Sequence, residues 1–309
     1  MATKTRPPIL PSDPRDPTGV DRLERGAMRE FSKRMRRVRR AYIDALNQIP
    51  VEPAVNRRYS FQLDQYLLQS LLVNLDIEVD RILFGGDTSN GTWLFEAYVG
   101  VAYQRGTAQE FANLAHQSPA YKAGRESLAN VIQSEPYRRR IALVRARVFE
   151  EMKGLSAGVK ADMSRVLTDG VGRGLNPRDI ARNLTEQAGI EERRAYRIAR
   201  TEVTTALRRA RWDEADEAEE EYGLTTKELH LSALSPTTRA THAERHGRLY
   251  TREQVRDWWA RDGNSVNCKC STTSVLVGDD GKPLVPGIQK RAKQTKEKME
   301  ARGYAWAKD

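Results

Sequence analysis

Between a proline-rich start and Pro50, "VDRLERGAMREFSKRMRRVRRAYIDALNQIP" places Leu23, Ala27, Phe31, Met35, Val38, Tyr42 and Leu46 three or four residues apart. That spacing predicts one apolar helix face. Arg25, Arg29, Lys33, Arg36, Arg37, Arg39 and Arg40 occupy the remainder of the circumference. Two long apolar-periodic stretches follow, "FQLDQYLLQSLLVNLDIEVDRILFGG" and "GTWLFEAYVGVAYQRGTAQEFANLAHQS", separated by glycines and a polar turn. They predict two helices, and their Leu and aromatic stripes belong to a core rather than a ligand pocket.

From Pro136 to Gly174 the pattern predicts one or two further helices. In "LNPRDIARNLTEQAG" Asn176 is the expected N-cap, Pro177 the first helical residue and Gly189 the stop. A helix of about thirty residues is expected next, "IEERRAYRIARTEVTTALRRARWDEADEAEEEYG". Its arginines come first and its acids last. Acids at a helix C-terminus oppose the dipole, so the last turns should either fray or meet a basic neighbour.

At Gly223 the period changes. "TTKELHLSAL" reads as a strand, "SPTTRATHAERHG" as a turn and short helix, "TREQVRDWWARDG" as a helix, and "CSTTSVLVGDDGKPLV" as a hairpin turning at GDDG. The expected fold is therefore mainly α: an elongated helical body with a small C-terminal α+β module. The expected segments are a disordered Pro-rich arm (1–19), a basic amphipathic helix (20–58), a helical body (59–222), the α+β module (223–286) and a polar basic tail (287–309), partly helical at best.

Composition narrows the function. The chain has 309 residues, long enough for a substantial core, and a formal net charge of +10, which draws it to polyanions at low salt. Nothing approaches the roughly 20 apolar residues of a membrane span, and the N-terminus lacks the apolar run of a signal peptide. The only two cysteines, Cys268 and Cys270, are one residue apart, which is no disulfide framework and fits a reducing compartment. Phosphate-binding loops, dinucleotide fingerprints, zincin helices and nucleophile elbows are missing, so the expectation is a protein that is not an enzyme.

The candidate chemistry lies in "THAERHGRLY" and "NSVNCKCSTT". On a helix His242 and His246 would stack one turn apart, and on a strand Cys268 and Cys270 would share a face. Two imidazoles and two thiolates are the ligand set of a closed structural zinc site, so His242, His246, Cys268 and Cys270 are the candidate ligands and zinc the candidate cofactor. Buried core thiols with turn-bonded histidines are the competing reading. A Cys/His nucleophile pair is a third, but no oxyanion hole or orienting group accompanies it. His116 and His230 read as ordinary isolated residues.

The order of features in this half of the chain also resembles a known family. Arg200, Thr201 and Glu202, then Arg239, His242 and Gly247, then Asn267, Cys268 and Cys270 follow the motif order of the phage Mu protein F-like minor head proteins. Lys269 stands where the family usually has Arg between the cysteines. The family's Trp and Asp ahead of the His are replaced, with Leu231 or Ala233 and Ser235 in their place, and its Pro before the cysteines is missing. The resemblance covers roughly residues 140 to 277.

It implies a minor capsid or head-morphogenesis protein of a tailed double-stranded DNA phage. The implied location is the capsid interior near the portal vertex, with the host cytoplasm during assembly, and the implied partners are the portal protein, packaged DNA and a major capsid or scaffold protein, with no membrane. Arg29, Lys33, Arg36, Arg37, Arg39 and Arg40 are the expected contacts to DNA or a partner, through phosphates and without sequence readout. The apolar stripe of that helix either packs on the protein's own body or docks on a partner. The alternatives are a metal-dependent nuclease or toxin-like enzyme, and a zinc-stabilised DNA-binding regulator.

Overall fold

The computed structural model of the protein describes residues 5–53, 58–86 and 92–307. The first four residues of the arm, the polar turn after Gly86 and the last two residues of the tail lie outside them. The fold is mainly α with a small C-terminal α+β module, and 68% of the described residues are helical. Among the described residues no helix is long and apolar enough to cross a membrane.

The helices are α1 (Asp21–Gln48), α2 (Gln65–Phe84), α3 (Gly100–Gln117, entered through a π-helical turn Phe95–Val99), α4 (Pro119–Gly124), α5 (Leu128–Gln133), α6 (Glu135–Gly172), α7 (Pro177–Tyr222), α8 (Ala240–Glu244), α9 (Arg252–Ala260) and α10 (Ile288–Glu300). The strands are β1 (Val51–Pro53), β2 (Tyr59–Phe61), β3 (Thr226–Leu231), β4 (Leu249–Tyr250) and β5 (Ser271–Leu276). Local chemistry sets many of these ends. Asp64 accepts the Leu67 amide to start α2, and Gly85 ends it at φ 84°, a left-handed conformation that favours glycine. Asn176 accepts the Arg178 amide ahead of Pro177 at the start of α7, and Thr251 and Gln254 form a reciprocal capping box on α9.

By internal contacts the chain forms two units, Arg25–Tyr98 with Arg145–Ala199, and Met1–Glu24 with Val99–Val144 and Arg200–Asp309. In the former, Ala27, Phe31, Met35, Val38, Tyr42 and Leu46 of α1 are all buried. Of the two readings of this stripe, packing on the protein's own body holds and docking on a partner does not: its own fold covers it. Phe31 meets the Trp93 ring edge-on at 4.8 Å, and Ser32 of α1 donates to Glu192 of α7. Arg25, Arg29, Lys33, Arg36, Arg37 and Arg40 stay exposed, and Arg39 is half-buried. Gly189 does not end a helix. The two helices expected on either side of it are one 46-residue helix, because buried residues flank it on α7, Ala188 and Glu191, and tertiary packing outweighs its low helix propensity.

In the latter unit β3 is central, paired antiparallel with β4 and β5. The hairpin expected after β5 is reduced to one bridge, Val277 to Pro283. The free edge of β5 is closed by two side chains from α3: Asn113 and Gln117 both donate to the Ser274 carbonyl at 2.9 Å, and Gln117 accepts the Leu276 amide. Satisfying an edge strand in this way removes an unpaired hydrogen-bonding row. The acidic end of α7 meets basic neighbours: Arg125 pairs with Glu214, Glu217 and Glu221, and Arg252 with Asp216 and Glu219.

One expectation about the ends is corrected here, that of a disordered arm, and the partly helical tail proves to be packed. The described part of the arm is ordered: the Ile9 amide donates to Asn113, the Leu234 amide donates to the Pro14 carbonyl, and Leu10 packs on Leu229, Leu231 and Val275. The tail forms α10, which buries Ile288, Ala292 and Met299, and Trp306 beyond it donates to the Ser235 carbonyl. In both cases a few apolar residues at helical or extended spacing find cover on the module, which composition alone does not reveal.

Candidate metal centre

Three chain segments build the site. The first is the middle of α7, where Glu202, Val203, Thr204, Thr205, Ala206, Leu207 and Arg208 are buried in succession. The second is the turn from β3 into α8. The third is the loop from α9 to β5, which carries the two cysteines.

His242 Nδ1 lies 3.5 Å from Cys268 Sγ and 3.5 Å from Cys270 Sγ, and the three ligand atoms all fall within 4.8 Å of one another. All three residues are buried. Tetrahedral zinc with Zn–S of about 2.3 Å and Zn–N of about 2.05 Å places S and N about 3.6 Å apart. The observed spacing fits that ion. The cysteines also belong to an apolar cluster with Trp212, Ala233, Val255 and Trp259. Burial alone would not bring one imidazole nitrogen to both sulfurs.

His246 is not brought into the group. Helix α8 ends at Glu244, so the second histidine sits in the following turn rather than one helical turn above the first. Its Nδ1 accepts the Ser232 amide at 3.1 Å, and burial pushes its pKa down to about 4.

The sulfurs have donors of their own. Trp259 Nε1 donates to Cys268 Sγ at 3.5 Å and the Cys270 amide to the same sulfur at 3.4 Å, while Ser232 Oγ lies 3.5 Å from Cys270 Sγ. Burial by itself would raise the Cys268 thiol, but hydrogen bonds with Cys270 and His242 hold it well below the usual thiol range. The Cys270 thiol is held well above that range by its hydrogen bond with Cys268 and by burial. One sulfur in the pair is thus the preferred thiolate.

The motif residues converge on this point. Arg200 donates to Asn267 Oδ1 at 2.7 Å and to Glu24, and the Asn267 amide donates to Thr201 Oγ1. Asn267 itself sits at φ 55°, which turns the loop into the cysteine pair. Arg239 donates to the carbonyls of Gly263, Asn264 and Val266 and so holds the same loop from the other side. Gly247, at φ 77°, donates its amide to the His230 carbonyl, and a side chain there would crowd Ala292 at 3.1 Å. Glu202 is buried on α7. The basic residues Arg29, Lys33, Arg36, Arg37, Arg39 and Arg40 lie on α1 and contribute nothing to this centre.

Two buried positions beside the site escape the sequence reading. Arg208 is 1% exposed, stacks its guanidinium 4.8 Å from the centre of the Trp259 ring, and donates to the carbonyls of both cysteines. Its signal is faint: the uncharged run after Glu202 makes α7 buried on more than one side, which puts the next arginine in the interior. His230, on β3, is fully buried and stacked on Trp259 at 5.0 Å, and neither ring nitrogen has a hydrogen-bond partner among the described residues. Burial, with Arg245 nearby, keeps it neutral by pushing its pKa well below the ordinary histidine value.

Neither curated proteins nor solved structures give a match to the chain. Residues 161–273, which hold every motif residue described above, match the family model described as Phage Mu protein F like protein, so this part of the chain is similar to that family.

Proposed function

We propose that the chain is a head-morphogenesis protein of a tailed double-stranded DNA phage, a minor virion component that works beside the portal and the packaged genome, in the capsid interior, after assembly in the host cytoplasm. The role is structural rather than enzymatic. The family match supports the head-morphogenesis part of the reading.

The observation that carries the DNA contact is the surface of α1. Arg25, Arg29, Lys33, Arg36 and Arg40 are exposed and fall within a sector of about 80° on a helix with 3.6 residues per turn, over a length of about 22 Å. The opposite face is sealed into the core. A single-sided row of cations at that spacing neutralises phosphates by releasing counterions and reads no bases. On the same reading His242, Cys268 and Cys270 hold a zinc ion that ties the α8 turn to the strand after the cysteines and so stiffens a module with few large apolar residues.

The test is binding of the purified protein to two duplexes of unrelated sequence over a salt series. Equal affinities that fall steeply with salt are expected. A footprint confined to one sequence would favour the regulator instead, and metal-dependent nicking of plasmid would favour the enzyme. Lack of binding to either duplex at low salt would remove DNA from the proposal. A cryo-EM map of the particle at the vertex where the tail joins tests the location.

A further inference from the structure

The cluster supplies three ligand atoms where tetrahedral zinc takes four, so the identity of the fourth decides what kind of centre this is. The protein donors nearest in sequence are engaged elsewhere. His246 gives its Nδ1 to the Ser232 amide, and its Nε2, buried without a hydrogen-bond partner among the described residues, does not join the cluster of ligand atoms. Thr238 Oγ1 donates to the Ala233 carbonyl and lies 3.1 Å from Ser235 Oγ.

What borders the three ligands instead is a cavity. It has a volume of about 70 Å³ and is lined by the three ligand residues, by the hydroxyl residues Ser235, Thr237 and Thr238, and by Arg200, Arg239 and Lys269. No carboxylate lines it. Arg200 and Lys269 are paired with Glu24 and Asp21 behind the wall, whereas Arg239 is held by main-chain carbonyls and keeps its charge. The cavity is partly open to solvent and large enough to admit water or an anion of a few atoms.

We propose that His242, Cys268 and Cys270 form a three-ligand centre for one zinc-class divalent ion, whose fourth coordination position opens into this cavity and takes an exchangeable water or small anion. This rests on the zinc reading above and replaces a closed four-ligand site by an open one. Two thiolates and one neutral imidazole cancel the charge of the ion, and the hydroxyls and Arg239 around the cavity favour an anionic oxygen or nitrogen donor at the remaining position. The donors to the sulfurs, Trp259 Nε1 and the Cys270 amide, are the outer hydrogen bonds that orient thiolate ligands.

Cobalt(II) reports on such a centre through its visible absorption. The reduced full-length chain is loaded with cobalt(II), the ratio of metal to protein is measured, and sodium azide is titrated in. One cobalt per chain is expected, with near-ultraviolet thiolate charge transfer and four-coordinate visible bands that shift saturably with azide while the metal stays bound. His246→Gln should keep cobalt affinity within about threefold, and His242→Gln should weaken it at least about tenfold. Bands that ignore azide, or affinity lost in His246→Gln, would overturn the open position and leave the metal. A chain that takes up neither cobalt nor zinc would overturn the metal reading itself. Circular dichroism of each variant separates lost binding from lost folding.

Discussion

Arg208 Nη1 donates to the carbonyl oxygen of Cys270 at 3.1 Å from a side chain that is almost wholly buried. The same nitrogen reaches the Cys268 carbonyl at 3.3 Å, so one guanidinium fixes the spacing of both cysteines from behind. Arg208→Met leaves two buried carbonyls without their donor and should cost about 3 kcal/mol in urea unfolding. Arg208→Lys should recover only part of it, because an ammonium lacks the planar fork. A methionine variant within 0.5 kcal/mol of wild type, by about the scatter of a surface substitution, would show that the contact holds nothing.

Gly106 and Gly154 should respond to alanine in opposite senses. A Cβ at Gly106 would stand 2.3 Å from the Leu207 carbonyl oxygen and 2.9 Å from Ala210 Cβ, so α3 and α7 would have to part. Overpacking of this kind costs about 1–3 kcal/mol. At Gly154, inside α6, a Cβ would meet nothing within 4 Å, and alanine should stabilise by about 0.5–1 kcal/mol through helix propensity. Melting temperatures that move in the same direction would contradict this packing.

Asn113 joins the arm to the sheet, accepting the Ile9 amide and donating to the Ser274 carbonyl. Asn113→Ala removes both bonds, at about 1 kcal/mol each, together with its bonds to Glu110 and Gln117 within α3. Loss of the Ile9 bond alone should accelerate trypsin cleavage at Arg15 roughly fivefold, since cleavage follows the open population. Cleavage at the wild-type rate would mean that Leu10 and its apolar neighbours hold the arm without this bond.

Glu228 gives the module a pH dependence. It is fully buried on β3, and burial, with Glu110 close by, raises its carboxyl from an ordinary 4.5 to about 7. Ser274 Oγ donates to it at 2.8 Å. Because the folded state holds this proton more tightly than the unfolded chain, its contribution is fully present below pH 4.5 and is lost as pH rises towards about 7. Glu228→Gln keeps the shape without the charge, so its stability relative to wild type should climb across that window. Parallel stability profiles of the two proteins from pH 5 to pH 8 would rule this out.

For α1, replacing Arg29, Lys33, Arg36 and Arg40 with Gln should lower duplex affinity and reduce the logarithmic salt slope by about 3–4, close to one per lost phosphate contact. The substituted side chains are exposed, so helicity should be unchanged. An unaltered slope would move the DNA contact to another surface.

The sequence by itself determined the elements wherever apolar period and end chemistry agreed. The buried stripe from Ala27 to Leu46, the Asn176–Pro177 start of α7 and the strand character of β3 and β5 all follow from local spacing. Cys268, Cys270 and His242 were also legible as a group, because few residue types supply soft ligands and this chain places them in two short segments. Their flanking motif marked the family.

Tertiary structure alone decided the rest, since each remaining feature depends on a neighbour far along the chain. Gly189 stays helical because Ala188 and Glu191 on the same helix are covered, and α8 stops one residue short of Arg245, which takes His246 away from the sulfurs. Arg208 is interior because the cysteine carbonyls wait for it some sixty positions later. Burial of a charge is decided by the partner that meets it, and local spacing carries no record of that partner.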